Sequence, residues 1–331
     1  MKRILVTGGA GFISSNMIRH LLQETGHEVV TMDALTYAGN LENLGDVMTH
    51  ERLRFIRGDI RDVHDVATAL EGVDVIVNAA AESHVSKSIE QGGAEFVTTN
   101  VVGTQVLLDA IREQPVDRFI LISSSEVYGT AVSAPMTEDH PLNPRSPYAG
   151  TKAGGDRLAY SYWCTYDLPV TVIRPFNNYG PYQHPEKVIP RFTIQALTDQ
   201  PLTIHGNGGA TRDWLHVRDT ADAITRACEV PLGRIKGETI NVATGVDESV
   251  EQIADMILDL LGKPAALKSH VDDRPGQVDR HVGSTDKAQR LLDWTSSISF
   301  ADGLEQTIAW YRENPEWWQK ILATEQTPQT V

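Results

Sequence analysis

Short runs of consecutive Val, Ile and Leu alternate with longer amphipathic stretches from the start of the chain. Residues 3–7, 28–33, 53–57, 73–80, 118–123 and 170–174 carry apolar side chains on successive positions. This predicts strands covered on both faces. Between them, residues 12–23, 63–70, 94–112 and 147–166 have the length and apolar spacing of helices. Such an alternation predicts an α/β fold built on a parallel, doubly wound sheet. After Pro175 the pattern changes to segments dense in Asn, Gly and Pro at 177–185 and 206–209, followed by helical patterns at 250–261 and 304–311. A second, smaller lobe is expected there. No internal repeat appears, and the polar end from 324 to 331 reads as a loose tail.

The segment Thr7-Gly8-Gly9-Ala10-Gly11-Phe12-Ile13 follows the first predicted strand and opens the first predicted helix. In that context glycines let the backbone approach a pyrophosphate seated on the helix N-terminus. Ser14 stands where the third glycine of the spacing is usual, which strains the helix–strand contact. Asp33 ends the second strand about 20 residues further on, the distance at which a carboxylate meets the adenosine ribose. Its charge would accept from ribose hydroxyls and repel a 2′-phosphate, so NAD is favoured over NADP. These features predict a Rossmann NAD-binding domain over 1–175, with 176–331 mainly a substrate-binding lobe.

Composition narrows the partners. The 331 residues carry 29 Lys and Arg against 44 Asp and Glu, a formal charge of −15. No chain-wide basic field exists for a nucleic acid or an anionic membrane, and an anionic ligand must be met by local groups. Two cysteines, Cys164 and Cys228, stand far apart without metal-ligand spacing. Neither a disulfide framework nor a metal site is expected. With no apolar stretch of membrane length and no export signal in the opening residues, a cytoplasmic location is expected.

Candidate chemistry gathers late in the strand–helix series. Tyr148 and Lys152 are four residues apart on a predicted helix and share one face. An ammonium beside a phenol favours phenolate and lowers its pKa, making a base that works near neutrality. The fifth strand ends in Ser123-Ser124-Ser125-Glu126, at the carboxyl edge where doubly wound sheets seat their ligands.

With these residues in place the chain resembles the extended short-chain dehydrogenase/reductases, and among them the dTDP-glucose 4,6-dehydratases. The likeness runs through Leu35-Thr36-Tyr37-Ala38-Gly39-Asn40-Leu41, Ala80-Ala81-Glu82-Ser83-His84-Val85, Ser125-Glu126-Val127-Tyr128-Gly129 and Ser146-Pro147-Tyr148 with Lys152. It continues in Asn177-Asn178-Tyr179-Gly180-Pro181-Tyr182, Pro185-Glu186-Lys187, Arg212-Asp213-Trp214-Leu215 and Asp273-Arg274-Pro275-Gly276. The resemblance implies a lyase acting on a nucleotide-diphosphate sugar in deoxysugar biosynthesis. Tyr148, helped by Lys152 and Ser124, would take the C4 hydroxyl proton, and Glu126 the C5 proton before water leaves C6. It implies cofactor contacts at Gly8, Gly11, Phe12, Ile13, Asp33, Thr36, Asp59, Ile60, Ala79, Ala81, Thr99, Tyr148 and Lys152. It implies substrate contacts at His84, Ser86, Asn177, Lys187, Arg212 and Arg274, and a homodimer through the segments 94–112 and 147–166.

Ser125 departs from the pattern, because the dTDP-glucose enzymes carry an aspartate there that serves as the acid for water loss. A hydroxyl followed by Ser-Glu also resembles GDP-mannose 4,6-dehydratases and UDP-glucuronate decarboxylases, in which case Glu126 serves first as base and then as acid. A 4-epimerase or decarboxylase, which oxidises C4 without losing water, is the alternative, and a sugar-nucleotide sensor without turnover a third.

Overall fold

The chain opens with β1 (Arg3–Thr7), α1 (Phe12–Glu24), β2 (Glu28–Asp33), β3 (Leu53–Arg57), α2 (Val63–Ala69) and β4 (Val75–Asn78). This is a computed structural model, and it describes residues 1–90, 92–272 and 278–326. There follow α3 (Val85–Glu90), α4 (Ala94–Val97), a π-helical turn (Thr98–Gly103), α5 (Thr104–Glu113), β5 (Arg118–Ile122), α6 (Pro147–Tyr166) and β6 (Val170–Pro175). The remainder comprises β7 (Asn177–Tyr179), α7 (Val188–Leu197), β8 (Leu202–His205), β9 (Thr211–His216), α8 (Val217–Glu229), α9 (Leu232–Ile235), β10 (Thr239–Val242) and β11 (Asp247–Ser249). It ends with α10 (Val250–Leu261), β12 (Lys268–Val271), β13 (Arg280–His281), α11 (Asp286–Leu292), α12 (Phe300–Glu313) and α13 (Pro315–Gln326).

Six of the seven strands in the parallel sheet are those the apolar runs predict, and the sheet order is β3-β2-β1-β4-β5-β6-β10. Helices cover both faces of the central strands, and β1, β4 and β5 are almost wholly buried along their lengths, whereas the edge strand β3 is only partly buried, with Arg54 and Arg57 exposed. The seventh strand, β10, comes from beyond residue 175 and pairs in parallel with β6, Ile240 opposite Ile173. On one face α8 packs on α1, where Met17, Ile18 and Leu21 meet Ala221, Ile224, Ala227 and Cys228 in one buried cluster. Burying each Ile or Leu there contributes roughly 1.5–3 kcal/mol.

The helix expected over 94–112 is interrupted. Its middle turn is π-helical, a form that recurs at functional sites. The turn brings the Asn100 backbone against α6, where a Cβ on Gly155 would lie 2.6 Å from the Asn100 carbonyl. Asn100 is buried. Its amide donates to the Glu82 carbonyl at 3.0 Å and to Thr151 Oγ1 at 2.9 Å, and its oxygen accepts from Glu82 N at 2.9 Å. One side chain thus fixes the loop after β4 to the helix that bears Tyr148.

The second lobe is built on short pairings. β11, β9 and β13 form one small sheet, with β7 also paired to β9. Its core joins α7, α10 and α12 through Ile189, Phe192, Ile253, Ile257 and Leu304. No helix among the described residues is long and apolar enough to cross a membrane.

Candidate active site

The carboxyl edge of the sheet opens into a cleft of about 1200 Å³. Gly8 has φ +69°, and a Cβ there would lie 2.8 Å from the Ala80 Cα, so this turn closes on the next loop only with glycine. Ser14, expected to strain the packing, is buried with its hydroxyl 3.5 Å from the Thr7 carbonyl. Asp33 accepts from Ala10 N at 2.9 Å through Oδ2 and from Leu35 N at 2.7 Å through Oδ1. Burial pushes its pKa up, and the two backbone N–H groups pull against that.

Every residue expected at the cofactor lines this one cleft: Gly8, Gly11, Phe12, Ile13, Asp33, Thr36, Asp59, Ile60, Ala79, Ala81, Thr99, Tyr148 and Lys152. The donor set fits a dinucleotide. Gly8 keeps open a backbone cradle that a side chain would fill, and the Asp33 carboxylate has lone pairs left over for hydroxyls after its two backbone partners.

Tyr148 and Lys152 share a face of α6, whose N-terminus is capped by Ser146 with Pro147 in its first turn. The sequence-based expectation of a lowered tyrosine pKa is not what burial produces. Tyr148 is pushed up to about 12, chiefly by loss of water, with the nearby Glu126 charge adding and a hydrogen bond to the Ser124 side chain opposing. Lys152 is brought down to about 8 by the same burial. Its Nζ donates to the Ile122 carbonyl at 2.7 Å. The lysine is thereby anchored to the end of β5.

Ser124 caps the short 3-10 turn Ser125–Tyr128, its Oγ accepting from Glu126 N at 3.2 Å. The turn brings Ser124 to the Tyr148 hydroxyl and Glu126 within electrostatic reach of it. Ser125 is buried.

The substrate set divides. Lys187 lines the cleft, with its Nζ 3.0 Å from Glu186 Oε1. His84 lies at the mouth: its Nδ1 accepts from Lys87 N at 3.1 Å, so Nε2 carries the hydrogen and meets Glu186 Oε2 at 2.5 Å. Ser86 sits half-buried in the turn between His84 and Lys87. Asn177 opens β7, and its Oδ1 is buried with no hydrogen-bond partner among the described residues. Arg212 is buried on β9, beside β7. Arg274, and the Asp273-Arg274-Pro275-Gly276 segment, lie outside the described residues.

Sequence reasoning quoted Pro185-Glu186-Lys187 but gave Glu186 no part. It is the hub of the mouth, held well ionised at a pKa of about 2 by His84, Lys187 and His184 against the cost of burial. Glu82 and Lys87 also line the cleft. Lys87 Nζ stands 3.7 Å from the Tyr37 ring centroid.

A Rossmann sheet, a buried aspartate at the end of its second strand and a Tyr/Lys pair beside a Ser–Ser–Glu turn define an extended short-chain dehydrogenase/reductase. The family described as GDP-mannose 4,6 dehydratase matches residues 5–307, and the chain belongs to it. It is 42% identical over 329 residues to a dTDP-glucose 4,6-dehydratase of Streptomyces niveus, covering 98% of this chain and 97% of that protein. It is 45% identical over 317 residues to the low-salt glycan biosynthesis protein Agl12 of Haloferax volcanii, covering 95% and 99%. The crystal structure of DesIV, a dTDP-glucose 4,6-dehydratase from Streptomyces venezuelae with NAD bound, superposes with a TM-score of 0.92 at 44% identity, covering 96% and 99%.

Proposed function

We propose that the protein is an NAD-dependent nucleotide-sugar 4,6-dehydratase, a hydro-lyase that converts a dTDP-glucose-like sugar to its 4-keto-6-deoxy product. The observation that carries this reading is a single cleft running from the Asp33 turn to Tyr148, with the Ser124–Glu126 turn hydrogen-bonded to that tyrosine. When bound there, NAD supplies a hydride acceptor for C4 and later the hydride donor for C6.

Tyr148 receives the C4 hydroxyl proton, with Ser124 holding its oxygen. A phenol pushed up to about 12 is a strong base once ionised, and the Lys152 ammonium, four residues on along the same helix, is the cation offered to favour ionisation as the substrate binds. The C4 ketone acidifies the C5 proton, and Glu126 removes it. The same carboxyl group, now protonated, gives its proton to the departing C6 hydroxyl, so one water leaves and Glu126 returns to carboxylate; as hydride reaches C6, C5 takes one proton from solvent through Glu126, and Tyr148 gives up the C4 hydroxyl proton to solvent. Ser125 has no acidic proton to give at this pH, which assigns both transfers to Glu126. Lys187, Arg212 and Arg274 would meet the diphosphate, and Asn177, with its unpartnered Oδ1, a donor on the substrate.

The division 1–175 for NAD and 176–331 mainly for the nucleotide sugar goes with this reading, with α8 and β10 returned to the dinucleotide sheet. A homodimer through the 94–112 and 147–166 segments is supported by the exposed Val97, Val102, Tyr160 and Tyr166. Two free cysteines, one of them exposed, fit a reducing cytoplasm.

The test is incubation with dTDP-, UDP-, GDP- and CDP-hexoses, watching by mass for loss of one water. A product of unchanged mass from every sugar, epimerised at C4, would overturn the reading.

A further inference from the structure

His281 has no part in the mechanism above. It is the last residue of β13 and is fully buried. Its Nε2 lies 2.9 Å from the carbonyl oxygen of Ser125, the residue between Ser124 and Glu126. A carbonyl only accepts, so Nε2 carries the hydrogen and Nδ1 is left with its lone pair. That Nδ1 is buried with no partner among the described residues. The ring packs on Phe176, with centroids 5.1 Å apart. Burial brings its pKa down to about 4, Glu126 pulling it up and Arg212 pushing it further down. The imidazole is neutral near pH 7 and donates a single hydrogen bond.

Two parts of the molecule meet at this bond. Ser125 follows β5 of the seven-strand sheet, whereas β13 belongs to the small sheet of the second lobe, where His281 is the register partner of Arg212. The acceptor turn is a single 3-10 turn of four residues whose far end is tied by Tyr128 to Asn241 and Arg174, and the His281 bond holds its first residue. We propose that His281 is a positioning residue that fastens the Ser124–Glu126 turn to β13, the strand paired with the one carrying Arg212, so that proton transfer at C5 and C6 depends on a histidine of the substrate lobe. The inference rests on the assignment of Glu126 as the group that moves those protons. Positioning matters at this scale because a displacement of about 1 Å at a reacting group can cost on the order of a hundredfold in rate.

His281→Phe keeps a ring on Phe176 and deletes the donor, and His281→Gln keeps an N–H of similar reach. Each is compared with wild type for dTDP binding, for single-turnover oxidation at C4 and for entry of solvent deuterium at C5. In the phenylalanine variant dTDP affinity and C4 oxidation should stay within about threefold, while C5 exchange and water loss slow by about tenfold to a hundredfold. The glutamine variant should recover most of that loss. C5 exchange at the wild-type rate in His281→Phe, an equal fall in oxidation and exchange, or no recovery with glutamine would overturn the inference. Should His281→Phe not fold, His281→Ala with added imidazole replaces it: restored exchange supports the role and unrestored exchange overturns it. Glu126→Gln separates the two claims. If it leaves water loss intact, the assignment of Glu126 fails; if it blocks water loss while His281→Phe has no effect, only the positioning role fails.

Discussion

Asparagine in place of Asp33 removes a charge while keeping the shape of the side chain. The carboxylate is 8% exposed and accepts one backbone N–H on each oxygen, from Ala10 at 2.9 Å and from Leu35 at 2.7 Å. The loop it organises has little slack: Leu35 sits at φ +56°, and a Cβ on Gly39 would lie 2.6 Å from Asp33 Oδ1. An amide can accept on one atom only, so its NH2 group would oppose the other backbone donor. Losing one charge-assisted hydrogen bond should lower the stability of nucleotide-free protein by about 1.5–3 kcal/mol. On the proposed reading the lone pairs that remain on the carboxylate meet the ribose, and NAD affinity should then fall by a similar amount, roughly tenfold to 150-fold. The penalty against NADP should shrink, because the repelling charge is gone. Calorimetric titration of nucleotide-free protein with NAD and NADP, beside a denaturant melt, measures both effects. A variant that loses stability but binds NAD within about twofold of wild type would refute the ribose role and leave Asp33 only as the organiser of its turn.

Tyr148→Phe should abolish oxidation at C4, since it deletes the hydroxyl held by Ser124, while dTDP still binds; NADH absorbance formed on mixing with substrate would contradict this. His216 caps α8, its Nδ1 accepting from Arg218 N, and burial holds its pKa at about 4. That folded value lies below the unfolded one, so its contribution is complete above pH 6.5 and is lost as pH falls toward 4. Relative to His216→Asn, which keeps a capping acceptor and does not titrate, wild type should lose about 3 kcal/mol across that window in urea melts. A constant difference between the two proteins would refute the buried neutral imidazole. Gly8→Ala should reduce both NAD binding and stability, because φ +69° and the 2.8 Å approach to Ala80 leave no relaxed conformation; a melt within about 0.5 kcal/mol of wild type would contradict it.

The features that sequence carried were those with a local physical signature. Five of the six predicted strands are buried along most of their length, so their apolar runs stand out without tertiary information, the edge strand β3 shows through Leu53, Phe55 and Ile56, and the glycine turn and Asp33 follow directly from their place after β1 and β2. The seventh strand was hidden because Thr239–Val242 is only four residues, contains Asn241, and joins β6 across the whole of α7, β8, β9 and α8. The break in the 94–112 helix was hidden because the buried positions of its π-turn are Asn100 and Gly103, which no apolar spacing marks, and the approach of Gly155 to the Asn100 carbonyl exists only in the fold. At the site, the tyrosine–lysine spacing was legible, whereas the upward shift of Tyr148 depends on burial, which a spacing does not report. Glu186 and His281 act through partners about 100 and 156 residues away, His84 and Ser125, and no sequence window holds both members of either pair.

The central claim is that hydrogen removed from C4 is returned to C6 after water has left. A nucleotide glucose carrying deuterium at C4 tests this directly, by locating the label in the product with NMR. Deuterium recovered at C6 of a 4-keto-6-deoxy sugar is the predicted result, and label found only at C4, in a sugar that has kept its C6 hydroxyl, would contradict it.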